Sequence, residues 1–342
     1  MVSRRLRGES WPLLLLLLPP PTFTRRFVPL TLLLLLSPVT SQPQNAVCAV
    51  CVPSQWIWGF HTEEALDCFA NALALDPDFA MAHWGVALSH GPNYNFYGDR
   101  YYELSASDGP MLEVYPSLML ARRHAARALE LREQLTSPVE RALVEAIGVR
   151  YEEFVPGNSN KHLERPYAEA MREVWAQHPG DPNVACIFAA ALMNLSPWQL
   201  WASDDASSAA AGSVAPSSGD GEGGEGAYLL IADADKKQNA LDIKAAIEAG
   251  LVLSPEHPGL CHLYVHLMEM SPTPEAALPA AGVLRRICPA IGHLLHMPSH
   301  IDVLVGDYAA AMETSQRAQE ADERIVLAGK IGSIGMFLSY MN

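Results

Sequence analysis

The sequence predicts an all-α protein, a solenoid of antiparallel helix pairs, and three observations carry the prediction. After residue 41 the chain has almost no alternating strand pattern. In its place run helix-length amphipathic segments rich in Ala, Leu and Glu. A motif also returns along these segments, at a fixed period in its last copies.

The clearest copy lies in EEALDCFANALALDPDFAMAHW, where Ala65, Phe69, Ala72 and Pro77 give the order small, aromatic, small, helix-ending proline. Small residues let two helices approach closely, and proline stops the second of them. Tyr167, Ala170, Val174 and Pro182 repeat the order in PYAEAMREVWAQHPGDPNVA. Ile243, Ile247, Gly250 and Pro255 repeat it more loosely, followed by Ala277, Ala281, Leu284 and Pro289. Gly306, Tyr308, Ala311, Ser315 and Ala318 fit it again. The step from Pro255 to Pro289 equals those from Ile243 to Ala277 and from Ala277 to Ala311. Its length, about 34 residues, is that of a tetratricopeptide (TPR) repeat. In such arrays each helix pair stacks on its neighbours.

The flanks of the array read differently. In residues 1–41, Arg4, Arg5 and Arg7 precede the run Leu13 to Leu18, and Arg25 and Arg26 precede a second apolar run, Phe27 to Leu36. Pro38-Val39-Thr40-Ser41 then gives a small-residue exit, so 1–41 reads as a signal peptide or leader. Entry into the secretory pathway, or secretion, is the expectation; a bipartite organellar leader is the alternative. Each apolar run is short for a bilayer span, and no membrane contact is expected beyond the leader. Residues 202–227 are Ser-, Ala-, Gly- and Asp/Glu-rich and read as a disordered insertion between helical stretches 42–201 and 228–342. The second stretch stops inside a helical pattern at Ser339-Tyr340-Met341-Asn342 without a polar capping face, as in a truncated array.

The net charge is −15, and the leader's five arginines against one glutamate leave the remainder at −19. So acidic a body repels phosphate backbones, which excludes nucleic acid as an expected partner. Six cysteines permit disulfides in a secreted chain without establishing any, and Cys48-Ala49-Val50-Cys51 has neither the second CxxC of a zinc ribbon nor the following His of a haem site. There is no P-loop, dinucleotide fingerprint or GxSxG, so no reaction is indicated and an enzyme is neither predicted nor excluded. Asn194-Leu195-Ser196 is a glycosylation sequon, but Pro197 follows it within an apolar stretch, and its use is not expected. His83 stands where such a repeat carries a packing aromatic, and His90-Gly91-Pro92-Asn93-Tyr94-Asn95 reads as a turn.

The twelve histidines are uneven. His262 and His266 are four apart, as are His296 and His300, and each member of the first pair lies one repeat period from its counterpart in the second. Four-residue spacing puts each pair on one helix face. Equivalent positions on successive first helices would bring all four to the concave groove of the array. Glu269 falls about one turn beyond His266 and His293 one turn before His296. Imidazole and carboxylate are ligands for Zn, Cu or Fe, so His262, His266, His296, His300 and Glu269 form a candidate metal site. The spacing is not HExxH, and a metal-free polar groove accounts for it as well.

Several segments together resemble a group of TPR-repeat proteins found in bacteria and some eukaryotes: DPDFAMAHWGVALSHGPNYN, LMNLSPWQLW, HPGLCHLYVHLMEMSPTPEAALPA and GHLLHMPSHIDVLVGDYAAAMETSQRAQEAD. The resemblance covers most of 56–330 outside the insertion. It implies the repeat fold and little chemistry. Two functions follow as expectations: a scaffold binding a peptide or protein segment in the groove, or a metal-binding protein or metal-dependent enzyme using the four-histidine site.

Overall fold

The computed structural model describes residues 53–95, 114–152, 161–201 and 233–327. The described residues are all-helical, with no strand among them. The leader, the CxxC, the insertion 202–227 and the end 328–342 lie outside the described residues.

The helices in chain order are α1 (Pro53–Trp58), α2 (Thr62–Leu75), α3 (Ala80–Ser89), α4 (Val114–Glu130), α5 (Pro138–Tyr151), α6 (Glu164–Gln177) and α7 (Pro182–Met193). They continue as α8 (Asp233–Leu253), α9 (Pro258–Met268), α10 (Leu278–Ile287), α11 (Gly292–His296), α12 (Pro298–Val305) and α13 (Tyr308–Leu327). Proline sets several starts: Pro138, Pro182, Pro258 and Pro298 take the first helical position, where a fixed φ helps and no N–H is needed. The residue before supplies the cap in α7. The Asp181 carboxylate accepts from the backbone N–H of Asn183 (2.8 Å) and Val184 (3.2 Å). Pro182, expected to end a helix, therefore opens one; α6 has already stopped at Gln177. Gly306, at φ 84°, provides the left-handed residue that ends α12.

Successive helices pack on each other, and so do some alternate ones. α3 touches α5 across α4, α7 touches α9 across α8, and α10 touches α12 across α11. α7 and α9 are buried along almost their whole length, as expected of helices apolar all round. One continuous core runs from Trp58 through Leu118, Ile147, Phe188 and Ile247 to Ile301, on both sides of the insertion. Helix α1 lies against α9, far away in sequence.

Close approach depends on Gly85 in α3. A Cβ there would fall 2.1 Å from the Phe69 ring of α2. Gly85→Ala is expected to destabilise the protein by roughly 1–3 kcal/mol through overpacking, read from urea unfolding.

The cap of α9 is a histidine. His257 Nδ1 accepts from Leu260 N–H (3.1 Å), so its proton sits on Nε2 and is donated to Asn183 Oδ1 (3.1 Å). Burial pushes the His257 pKa down to about 4. His90 is likewise lowered to about 4, by burial and then by His124. Because the folded values lie below the unfolded value of 6.5, the unfolded chain takes up protons first as pH falls. The stabilisation is complete above pH 6.5 and is lost on descent towards pH 4, on the order of 3 kcal/mol for His257. Urea titrations of metal-free protein at pH 7 and pH 4.5 should show it, and His257→Asn, which keeps a cap, should reduce the dependence by the His257 share, with His90, His124 and His296 supplying the rest.

Candidate metal centre

Helix α9 presents His262 and His266 one turn apart, and both are buried. Facing them, α11 supplies His293 and His296 and α12 supplies His300. His262, His266 and His293 each offer a ring nitrogen such that the three atoms lie within 4.8 Å of one another. This is the group of three potential ligands found among the described residues. His296 and His300 stand outside it, although the sequence placed them in the ligand set, and His293 stands inside it.

Hydrogen bonds fix the tautomers. The Trp58 carbonyl can only accept, so His262 Nδ1–H donates to it (2.5 Å). His262 Nε2 is then a bare lone pair, and His293 Nε2–H donates to it across 2.9 Å. His266 Nδ1–H donates to the Glu269 carboxylate (2.8 Å), which leaves its Nε2 bare as well. That Nε2 is buried with no hydrogen-bond partner. The other carboxylate oxygen of Glu269 receives His300 Nδ1–H at 2.5 Å. His300 Nε2 therefore accepts from His296 Nε2–H (3.0 Å), and His296 Nδ1 accepts from the Ser299 hydroxyl (3.3 Å). Glu269, placed in the candidate metal site by the sequence, bridges the Nδ1 atoms of His266 and His300.

The electrostatics follow. Burial holds the His262 pKa well below 6.5, helped by the neighbouring His293 and His266. Burial also lowers His266, against the pull of Glu269. Burial alone would raise the Glu269 carboxyl, but the hydrogen bonds from His266 and His300 outweigh it and bring it down to about 2. At neutral pH His262, His266 and His296 are therefore neutral imidazoles beside one anion.

Aromatic side chains enclose it. The Phe60 ring lies 4.7 Å from that of His262 and 5.2 Å from that of His293. Phe60 has φ 57°, in the left-handed region that costs a non-glycine residue roughly 1–2 kcal/mol. Tyr94 lies 4.7 Å from His266, with Trp198 edge-on to the same ring at 5.6 Å. Sequence reasoning did not assign these three to the site. For Tyr94 and Trp198 the signal was present only in GPNYN and SPWQLW, helix-breaking stretches with aromatic residues and no periodicity. His83 is paired elsewhere, with His124 (Nδ1 to Nδ1, 2.8 Å) and the Pro77 carbonyl (3.0 Å).

No family model and no curated protein matches this sequence. Among the described residues no helix is long and apolar enough to cross a membrane.

Proposed function

We propose that the protein binds one divalent transition-metal ion through His262, His266 and His293. The observation that carries this reading is the orphaned Nε2 of His266. A buried acceptor without a partner costs roughly 1–3 kcal/mol, and an ion between the rings satisfies it. The supporting shell is already in place. Trp58 O and Glu269 hold the Nδ1 protons of His262 and His266, which turns each Nε2 lone pair outward, the arrangement seen behind metal-bound histidines. His293 joins through Nε2 once its proton has moved to Nδ1. Three neutral imidazoles suit Zn, Cu or Fe and leave a position for a further ligand. Elemental analysis of protein purified without chelator is expected to give about one metal per chain. Metal-free protein that also fails to take up Zn2+, Cu2+ or Fe2+ would overturn the reading.

The helices belong in this reading to a TPR-like array, supported by the packing of each helix on the next and of some alternate helices on each other. A scaffold role has its own support in the large apolar side chains exposed on α12 and the start of α13, Val303, Leu304, Tyr308 and Met312. If the protein is a scaffold alone, Tyr308→Lys/Met312→Lys abolishes partner binding and His266→Ala leaves it intact. The leader assignment is tested by N-terminal sequencing of native protein: a chain beginning at Met1 refutes it.

A further inference from the structure

Beside the histidines lies a cavity of about 70 Å³, walled by α1, the end of α3 and its following turn, α5, α6, α7 and α9. Its walls are mainly apolar, with Trp58, Phe60 and Ile187 among them, and His262 stands at its edge. Asn194, the residue that follows α7, belongs to the same wall.

Asn194 is only half used by the protein. Its Nδ2 donates to the Pro92 carbonyl (3.2 Å). A carbonyl can only accept, so the amide cannot be turned round. Its Oδ1 is thereby left buried with no hydrogen-bond partner. Polar groups nearby are committed elsewhere. The Ser89 hydroxyl donates to the Gly85 carbonyl (2.8 Å). Arg150 makes a two-point ion pair with Glu164 (3.0 and 2.8 Å) and donates from Nη2 to the Pro92 carbonyl (3.0 Å), while its guanidinium lies over the Tyr167 ring (4.7 Å).

A buried acceptor without a donor is costly, and this one belongs to the wall of an apolar cavity. We infer that this cavity binds a small neutral molecule with an apolar body and one hydrogen-bond donor, of the class of a short alcohol, whose O–H is received by Asn194 Oδ1. Water suits the place less well. One water needs about 10–15 Å³ and two to four polar partners, whereas this cavity is several times larger and the orphaned oxygen is a single partner. Charge decides against an ammonium: Glu164 already neutralises Arg150, so a further cation would be buried without compensation. A ketone has no proton to give. Size sets the scale. A cavity of about 150 Å³ accommodates benzene, so this one admits about three or four heavy atoms.

The inference does not rest on the metal reading: propan-2-ol should bind the full chain equally before and after treatment with chelator. Propan-2-ol, acetone and isopropylammonium have one shape. The first donates one proton from oxygen, the second donates none, and the third carries a charge. Saturation-transfer NMR should give propan-2-ol an affinity at least about fivefold above that of acetone, the worth of one hydrogen bond, and should not detect isopropylammonium. Asn194→Leu should make propan-2-ol and acetone equal, a change of preference that a general loss of packing does not produce. Filling the space with Ala190→Leu, in a variant whose circular dichroism matches wild type, should abolish binding of both; where that variant does not fold, the Asn194→Leu comparison decides. No transfer to propan-2-ol, acetone or isopropylammonium bound as tightly, binding confined to metal-loaded protein, or a preference kept in Asn194→Leu each overturns the inference.

Discussion

His262→Ala/His266→Ala protein is expected to purify without metal and to keep its helical content. Each substitution removes a nitrogen with its lone pair turned to the shared site, and neither ring carries the main core. The affinity of His266→Ala alone should fall by at least about a hundredfold, since even outer partners of a metal histidine are worth roughly 10–100-fold. Glu269→Gln should fall in that outer range, because the amide holds the Nδ1 proton of His266 less firmly. His296→Ala, beyond the Glu269 relay, should cost less than either. Competition titration with a chromophoric chelator measures all four proteins. Wild-type affinity in the double variant ends the metal reading, and a His296→Ala loss equal to that of His266→Ala moves the ion toward the four-histidine set. Affinity should also fall with pH, because protons compete for the same lone pairs.

Glu164→Gln is expected to be the most damaging single change for stability. Arg150 and Glu164 are 2% and 5% exposed, and removing one charge strands the other in the core. The cost of an unpaired buried charge is about 3–5 kcal/mol, and chemical denaturation should show it as a lower midpoint. The double variant Arg150→Met/Glu164→Leu should recover most of the loss, since an apolar pair of similar volume is often no worse than the ions. If the double variant is less stable than Glu164→Gln, the bonds to Pro92 and Tyr167 carry the site instead.

The helical class was legible because it depends on local signals. Helix-length amphipathic segments carried it, and the individual boundaries did not: Pro182, read as an end, opens α7, and Gly306, read as part of the motif, ends α12. The histidine cluster was only half legible. The repeat period pairs His262 with His296, but the hydrogen bond from α11 to α9 pairs His293 with His262, 31 residues apart. Repeat spacing gives equivalence in sequence; the stagger of two packed helices decides which rings meet. Phe60, Tyr94 and Trp198 were illegible for a different reason. They come from connections without periodicity and meet the histidines only through the fold.

The bond between Trp58 and His262 closes a span of 204 residues. Most helix–helix contacts among the described residues join neighbours, so helix pairs can form as they are made, whereas this one must wait until α1 and α9 have found each other. The histidine chamber should therefore be the last region protected from hydrogen exchange during refolding and the first to open in the native state. Its entrance is governed by the docking of α1, a six-residue helix whose release would uncover His262, Phe60 and the adjoining cavity together while the rest of the array stayed folded.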